Sequence, residues 1–376
     1  ENLITPAITD RFARDAAPVI SEVCANPTAD LAAQCETIID AALDRDIATL
    51  EQGLRALYPE EVLSQRLAMV QQSAVQFTNV DARLSELRTG GGGFNVSGLN
   101  LRVGQTQVPM NLLQMLTQDS EEPEVGESGD LISPWGFFIN GTLARGGQKI
   151  NNQSRSVASD FDITNVTAGV DYRLNSKGVV GAALGFAQFD SELEDNGGSE
   201  NKATSLTAYG SYYLSDRMYV DSRLTFGSAD FDLVRKIRVG TSNRTALGKT
   251  DASQQALAIG AGYHFASAGW TITPNFGFRL FRSTIDAFTE TGAGDNNIAF
   301  DEQDVRSTQY TLGLQLSRAI SLSHGVLAPQ FDVSLTRETQ NDDFGLGARF
   351  ANITTARSFT VIADQADKSF GNIGLG

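Results

Sequence analysis

The 376 residues carry 45 Asp and Glu against 29 Lys and Arg, a formal charge of −16, with 41 % hydrophobic residues. That balance excludes nucleic-acid binding, which needs clustered Lys and Arg for phosphate contacts, and no run approaches the roughly 18–20 apolar residues of a membrane-spanning helix. A slightly negative mean hydropathy leaves a membrane β-barrel open, because only alternate residues of a barrel strand face lipid.

The first segment, 1–89, has no Lys and reads as a helical module. Its two cysteines, Cys24 and Cys35, would lie about 16 Å apart on one straight helix, beyond disulfide reach. Asn26-Pro27-Thr28 between them reads as a turn and a new N-cap, so a helix-turn-helix brings them together. The pair is read as a disulfide, fitting an exported protein, with two buried thiols as the alternative. Across 59–88 an apolar stripe (Leu63, Val70, Phe77, Leu84) recurs at helical spacing. It suits a coiled-coil seam or the inward face of a small bundle, and Leu31, Cys35, Ile38, Ala42 and Ile47 favour the bundle by offering a second helix.

Residues 90–132 form a connecting region. The glycines 90–93 read as a hinge, since neither a preceding strand nor a following Lys supports a phosphate loop. Phe94-Asn-Val-Ser-Gly-Leu-Asn-Leu-Arg reads as a short strand pair. Residues 109–118 read as a helix with Pro at its first position, about 15 Å long and the candidate plug of a lumen. The five carboxylates of 121–130 read as an acidic linker in preference to a calcium site.

From 133 to 376 the dominant signal is period-2 alternation in windows of about ten residues. Trp135, Phe137, Ile139 and Leu143 oppose Asn140 and Thr142; Val166, Ala168, Val170 and Tyr172 oppose Thr167, Gly169, Asp171 and Arg173. Further apolar rows run through Val180–Phe186, Leu206–Leu214, Met218–Phe226, Leu257–Phe265, Trp270–Leu280, Tyr310–Leu316 and Phe331–Leu335. A half-strand follows at 370–376. Short connections (175–178, 215–217, 266–269, 321–325) alternate with long polar stretches (147–160, 190–204, 232–253, 289–306, 338–369), the order of periplasmic turns and extracellular loops. Asp171, Arg173, Asp221, Arg223, Asn275, Arg279 and Gln315 fall mid-strand on the non-lipid face and are the candidate lumenal residues. Tyr172, Tyr212, Tyr263, Phe265 and Trp270 cluster near the short turns as an aromatic girdle.

Three successive strands carry a resemblance: Ser133-Pro-Trp-Gly-Phe-Phe-Ile-Asn-Gly-Thr, Phe161-Asp-Ile-Thr-Asn-Val-Thr-Ala-Gly-Val-Asp-Tyr-Arg and Gly178-Val-Val-Gly-Ala-Ala-Leu-Gly-Phe-Ala. In this order they resemble the opening strands of autotransporter (type V secretion) β-domains. The resemblance implies an all-β transmembrane antiparallel barrel of 12 strands with a linker through its lumen, behind a small α-helical module. Against that template the last strands are missing here. It also implies an outer-membrane location, lipid around the barrel, and the barrel assembly machinery as a partner during biogenesis.

No catalytic or cofactor-binding constellation emerges. His264 and His324 are the two histidines and neither neighbours a nucleophile, which argues against Ser-His-Asp chemistry and multi-His metal sites. Asp171 with Asp221 is the best carboxylate pair, but with Arg173, Arg223 and Arg279 nearby it reads as lumenal salt bridging. The expected function is a translocator and anchor displaying its N-terminal segment at the cell surface, where protease would cut near 90–93. The alternatives are a surface or assembly protein whose helical module binds a partner or itself, and an open pore.

Overall fold

The computed structural model describes residues 8–88, 94–103, 106–109, 134–152, 155–193, 197–318, 320–322, 325–327, 329–339, 344–363 and 368–375. Helix α1 (Arg11–Ala25) starts where the Asp10 carboxylate accepts from the Ala13 N–H at 2.9 Å, satisfying one orphan donor of the first turn. Its buried face is Phe12, Ala16, Val19, Ile20 and Val23, at the spacing of one helical stripe. After a turn comes α2 (Ala32–Leu43), and the Cys24–Cys35 disulfide joins the two helices across a Cα distance of 5.2 Å. Asp46 caps α3 (Ile47–Ala56) through the Thr49 N–H at 3.2 Å. The 26-residue α4 (Leu63–Arg88) follows.

The wall begins with β1 (Phe94–Val103), β2 (Thr106–Pro109), β3 (Trp135–Asn152), β4 (Arg155–Arg173), β5 (Gly178–Leu193), β6 (Gly198–Tyr213), β7 (Met218–Val239) and β8 (Ser242–Tyr263). It continues through β9 (Phe265–Ser267) and β10 (Trp270–Ile285). Beyond β11 (Phe288–Thr289) and β12 (Ile298–Phe300) come β13 (Gln303–Arg318), β14 (Ile320–Leu322), β15 (Gly325–Leu327), β16 (Gln330–Glu338), β17 (Phe344–Phe350), β18 (Phe359–Ala363) and β19 (Ser369–Leu375). Pairing runs β3-β4-β5-β6-β7-β8-β10-β13-β16-β19-β2-β1 and back to β3: ten strands come from the region after 133, and β1 and β2 of the connecting region pair where the sequence left the last strands of the template missing. Among the described residues the ring contacts are antiparallel except β1 with β3 and β2 with β19. The strand pair expected at 94–102 therefore belongs to the wall. At the short-turn end Trp135 meets Tyr172 at 4.8 Å, Tyr263 meets Phe265 at 4.6 Å, and Arg318 lies 5.4 Å from the Trp270 ring.

Two expectations need correction. The stretches 190–204 and 232–253, read as long polar loops, are mostly strand: β7 runs unbroken to Val239, turns at Gly240 (φ 58°), and β8 starts at Ser242. The reason is a reversal of chemistry without a reversal of geometry. In β7 the odd positions point inward throughout. Up to Phe226 the outward row is apolar (Met218, Val220, Leu224, Phe226) and the inward row polar (Asp221, Arg223, Thr225). Beyond it the outward row becomes Ser228, Asp230, Asp232, Lys236 and Arg238, while the inward row becomes Ala229, Phe231, Leu233, Ile237 and Val239. The lower half is a lipid-facing wall and the upper half a water-facing one.

The apolar interior of the upper half is continuous with the helices. Ile163, Phe189, Phe231, Phe281, Ile285 and Val305 share one core with Phe12, Ile20, Leu54, Val62 and Met69. A four-stranded sheet, β11-β12-β17-β18, joins it at the long-loop end. Arg235 donates to Glu290 and to the Asn296 carbonyl (2.8 Å), and the Ile298 N–H donates to Glu290 at 2.8 Å. The helices are seated by Asp30 on Arg244 and on the Asp295 N–H (2.9 Å), by Gln34 on Ser242 (2.8 Å), and by the Tyr58 hydroxyl accepting from the Ile362 N–H (3.0 Å). The second correction concerns the small bundle: α1 to α3 pack on the barrel's upper interior, and α4 leaves them.

Candidate functional site

Helix α4 runs through the ring. On one face the polar residues Gln65, Gln72, Gln76, Asn79 and Arg83 follow at steps of seven, four, three and four, which stack on a single side of an α-helix. From Gln65 to Arg83 that face is about 27 Å long, close to the thickness of a bilayer core.

Each of these side chains meets the inward row of the wall. Gln65 accepts from Gln303 at 2.8 Å, and Gln72 donates to Asn201. Gln76 accepts from Thr167 at 2.9 Å. Asn79 is held on several sides: it donates to Asn165 (2.6 Å) and Thr167 (3.0 Å), its side-chain oxygen accepts from Thr142 (2.7 Å), and its backbone carbonyl accepts from Asn140 (2.9 Å). Arg83 donates twice to Asp171, at 2.8 and 3.2 Å, and lies 5.6 Å from the Phe138 ring. Burial without partners would make these groups costly, so the polar wall and the polar stripe account for one another.

The helix ends at Arg88, which donates to Asp221 at 2.6 Å, lies 4.3 Å from the Tyr219 ring and offers its carbonyl to Tyr213. A small recess there is lined by Leu87, Arg88, Arg173, Ser176 and Lys177, which fixes the C-terminal end of α4 beside the short turns. Its N-terminal end lies among the upper strands. The chain thus descends from the long-loop end to the short-turn end. The glycines 90–93, where the sequence suggested a protease-accessible hinge, lie outside the described residues.

Of the sequence-derived lumenal residues, Asp171, Asp221, Arg223 and Arg279 meet α4 or its ion pairs. Arg223 pairs with Asp81 at 2.6 Å and Arg279 lies 4.7 Å from the Phe77 ring. Arg173 lines the lower recess. Asn275 donates to the Thr273 carbonyl at 3.4 Å and Gln315 donates to Gln330 at 3.0 Å, both within the wall. Asp171 and Asp221 do not form a carboxylate pair: they take separate arginines. His264 bonds Thr273 at 2.9 Å and packs near Tyr213 and Tyr219. His324, the acidic linker 121–130 and all of the proposed plug 109–118 except Pro109 lie outside the described residues. Among the described residues no cluster of His, Cys, Asp and Glu is suited to a metal.

A ring of strands with apolar outer rows is the arrangement the resemblance implied; the helix in its lumen is α4, which the sequence assigned to the N-terminal module, and comparison with known proteins decides the family. A model of the autotransporter β-domain matches residues 137–376. The chain belongs to the autotransporter family. As an autotransporter β-domain protein it is a component of the bacterial outer membrane. Esterase EstA of Pseudomonas aeruginosa is 27 % identical over 199 residues, which cover 50 % of this chain and 30 % of that protein. The match thus spans less than a third of the curated relative's length.

Among solved structures, the translocator domain of the autotransporter NalP from Neisseria meningitidis gives a TM-score of 0.48 at 18 % identity, covering 60 % of this chain and 80 % of that one. The β domain of the Bordetella autotransporter BrkA gives 0.45 at 20 % identity, covering 65 % and 96 %. The family assignment rests on the sequence match.

Proposed function

We propose that this autotransporter barrel anchors the chain in the outer membrane, that α4 is its translocation linker and seal, and that α1 to α3 sit at the cell surface as a fixed cap. The observation that carries this reading is the course of α4, from the upper core to the short turns, with its polar stripe bonded to the lumen wall. Short turns are periplasmic in outer-membrane barrels, so the opposite end is outside. Lipid surrounds the lower outer rows, and the barrel assembly machinery is the expected partner during insertion. The barrel itself works without chemistry. An activity such as the one in the relative's name would belong to polypeptide carried by the barrel.

Sidedness is tested by single cysteines at Leu43, 75 % exposed on α2, and at Lys177, in a short turn, labelled on intact cells with a membrane-impermeant maleimide. The Leu43→Cys protein should label and the Lys177→Cys protein only after the outer membrane is opened. The reverse pattern would refute the reading. A second reading, self-association through the cap, is favoured by one observation: Ile39 and Leu43 are exposed apolar residues on α2, 43 % and 75 %. A Leu43→Lys variant that dissociates a detergent-solubilised dimer would support it.

A further inference from the structure

Directly above the lipid-facing rows, charge is distributed unevenly around the ring. On β4 to β8 the outward positions just above those rows are mainly acidic, with Asp162, Asp190, Asp230 and Asp251; Lys202 and Lys249 are paired to Glu200 and Asp232 at 2.7 and 2.6 Å, and Lys236 and Arg238 stand higher, near the β7–β8 turn. On β10, β13 and β16 the outward positions hold three exposed arginines, Arg282, Arg306 and Arg337. Arg282 stands directly opposite Arg306 in the β10–β13 ladder, and Arg337 stands opposite Tyr310 in the next. Arg306 reaches Asp304 at 3.2 Å, both side chains 59 % exposed. Among the described residues Arg282 and Arg337 have no ion-pair partner. Like charges directly opposite weaken a sheet, so nothing in the wall itself accounts for facing arginines.

Their height does. Trp270 and Arg318 mark the lower interface of the same two strands. Arg282 is twelve residues beyond Trp270 on β10, about 40 Å along the strand and about 30 Å along the membrane normal at a tilt near 40°, which is one hydrocarbon core. Below Arg282 and Arg306 lies an apolar track: Phe278 and Tyr310, with ring centroids 5.2 Å apart and level with Arg337, and then Leu312 and Leu335, 66 % and 69 % exposed.

We propose that Arg282, Arg306 and Arg337 form a docking site for the phosphate-bearing headgroup of an outer-leaflet glycolipid, its acyl chains lying on the track below. This rests on the proposed orientation, with the long-loop end outside. The planar guanidinium grips phosphate oxygens in pairs. The facing pair Arg282 and Arg306 converges on one phosphate, and Arg337, displaced along the neighbouring strand, takes a second. The acidic β4–β8 side repels the same headgroup, so the site is one-sided.

The test uses the full chain folded in detergent, with folding verified by faster gel migration unboiled than boiled. Bound lipid is counted by native mass spectrometry with diphosphoryl lipid A, the same lipid stripped of phosphate, and inorganic phosphate as competitor. The native chain should prefer the phosphorylated lipid. Arg282→Gln/Arg306→Gln/Arg337→Gln should weaken binding about 100-fold, at roughly fivefold per arginine, while Lys202→Gln/Lys249→Gln leaves it unchanged. The triple Lys variant, which keeps the charge but loses the paired grip, should bind between the native and triple Gln proteins. Equal binding of stripped and phosphorylated lipid by the native chain, equal binding by the native and triple Gln proteins, or full displacement by inorganic phosphate would each overturn the proposal. A native chain that folds without the heat-dependent gel shift would instead overturn the barrel reading on which the site rests.

Discussion

Arg83 and Asp171 meet through two hydrogen bonds, 2.8 and 3.2 Å, with side chains 0 % and 3 % exposed. Tyr209 adds a third donor to the carboxylate at 3.3 Å. Removing one member of such a pair strands a buried charge, which costs about 3–5 kcal/mol, whereas replacing both with apolar groups is often neutral. Arg83→Met alone and Asp171→Leu alone should therefore lower the temperature at which the unboiled gel band shifts. The double variant should recover most of the loss. Additive losses would mean that the pair does not hold α4 in place.

The reversal of strand chemistry in β7 can be read out by neighbouring residues. Phe231 points into the shared core and is 2 % exposed, so Phe231→Ala should cost about 3–5 kcal/mol. Asp230, beside it on the water-facing row, should tolerate Ala within about 0.5 kcal/mol. Proteolysis of the folded barrel in detergent measures both, and equal sensitivity would argue that the upper wall is not packed.

The disulfide closes a short loop, and reduction should cost the cap about 3 kcal/mol by the loop-entropy model. Cys24→Ser/Cys35→Ser should expose α1 and α2 to protease while leaving the gel shift of the barrel in place. Alkylation of unreduced, unfolded native protein should modify no cysteine. Two modified cysteines would remove the disulfide.

Acid should unseat the cap in a defined window. The Asp295 N–H holds the Asp30 carboxyl below its ordinary 3.8; burial opposes it, and Arg244 adds to the lowering. A carboxyl whose pKa is lowered by folding stabilises the fold above its unfolded value, and that contribution fades as pH falls through the folded one. Protease sensitivity of α1 and α2 should rise below about pH 4 in the native chain. The rise should be smaller in Asp30→Asn, which has already lost the charge.

How much of this was legible follows from where apolar residues point. In the lower wall, rows such as Met218, Val220, Leu224 and Phe226 are apolar outside over polar inside, which no other context explains, so the barrel was readable. Above Phe226 the outward charges Asp230, Asp232 and Lys236 dominate the sequence, and the inward Phe231, Leu233 and Ile237 read as scattered, so the strand reads as loop. The stripe Gln65, Gln72, Gln76, Asn79, Arg83 was present in the sequence. A polar helix face normally means solvent, however, and its partners Asn140, Asn165 and Asn201 are distant in sequence. The apolar stripe on the same helix was the louder signal, and it pointed to a bundle. Those apolar residues are buried as well: Leu84 packs with Phe138, Ala183 and Tyr209 inside the ring.

In the proposed orientation the water-facing part of β7, Ser228 to Val239, carries the seat of α2 at the β7–β8 turn away from the membrane. Twelve residues at about 3.3 Å each, tilted near 40°, rise roughly 30 Å. At physiological ionic strength the Debye length is about 8 Å, so in the proposed orientation the tip of the β7–β8 hairpin, where Gln34 of α2 meets Ser242, stands more than three screening lengths above the leaflet. Acidic groups held at that distance feel almost none of the repulsion of anionic lipid. The exposed carboxylates of α2 and its C-terminal end, Glu36, Asp40 and Asp44, face the medium there, and salt should modulate encounters with them without changing how the barrel sits in the bilayer.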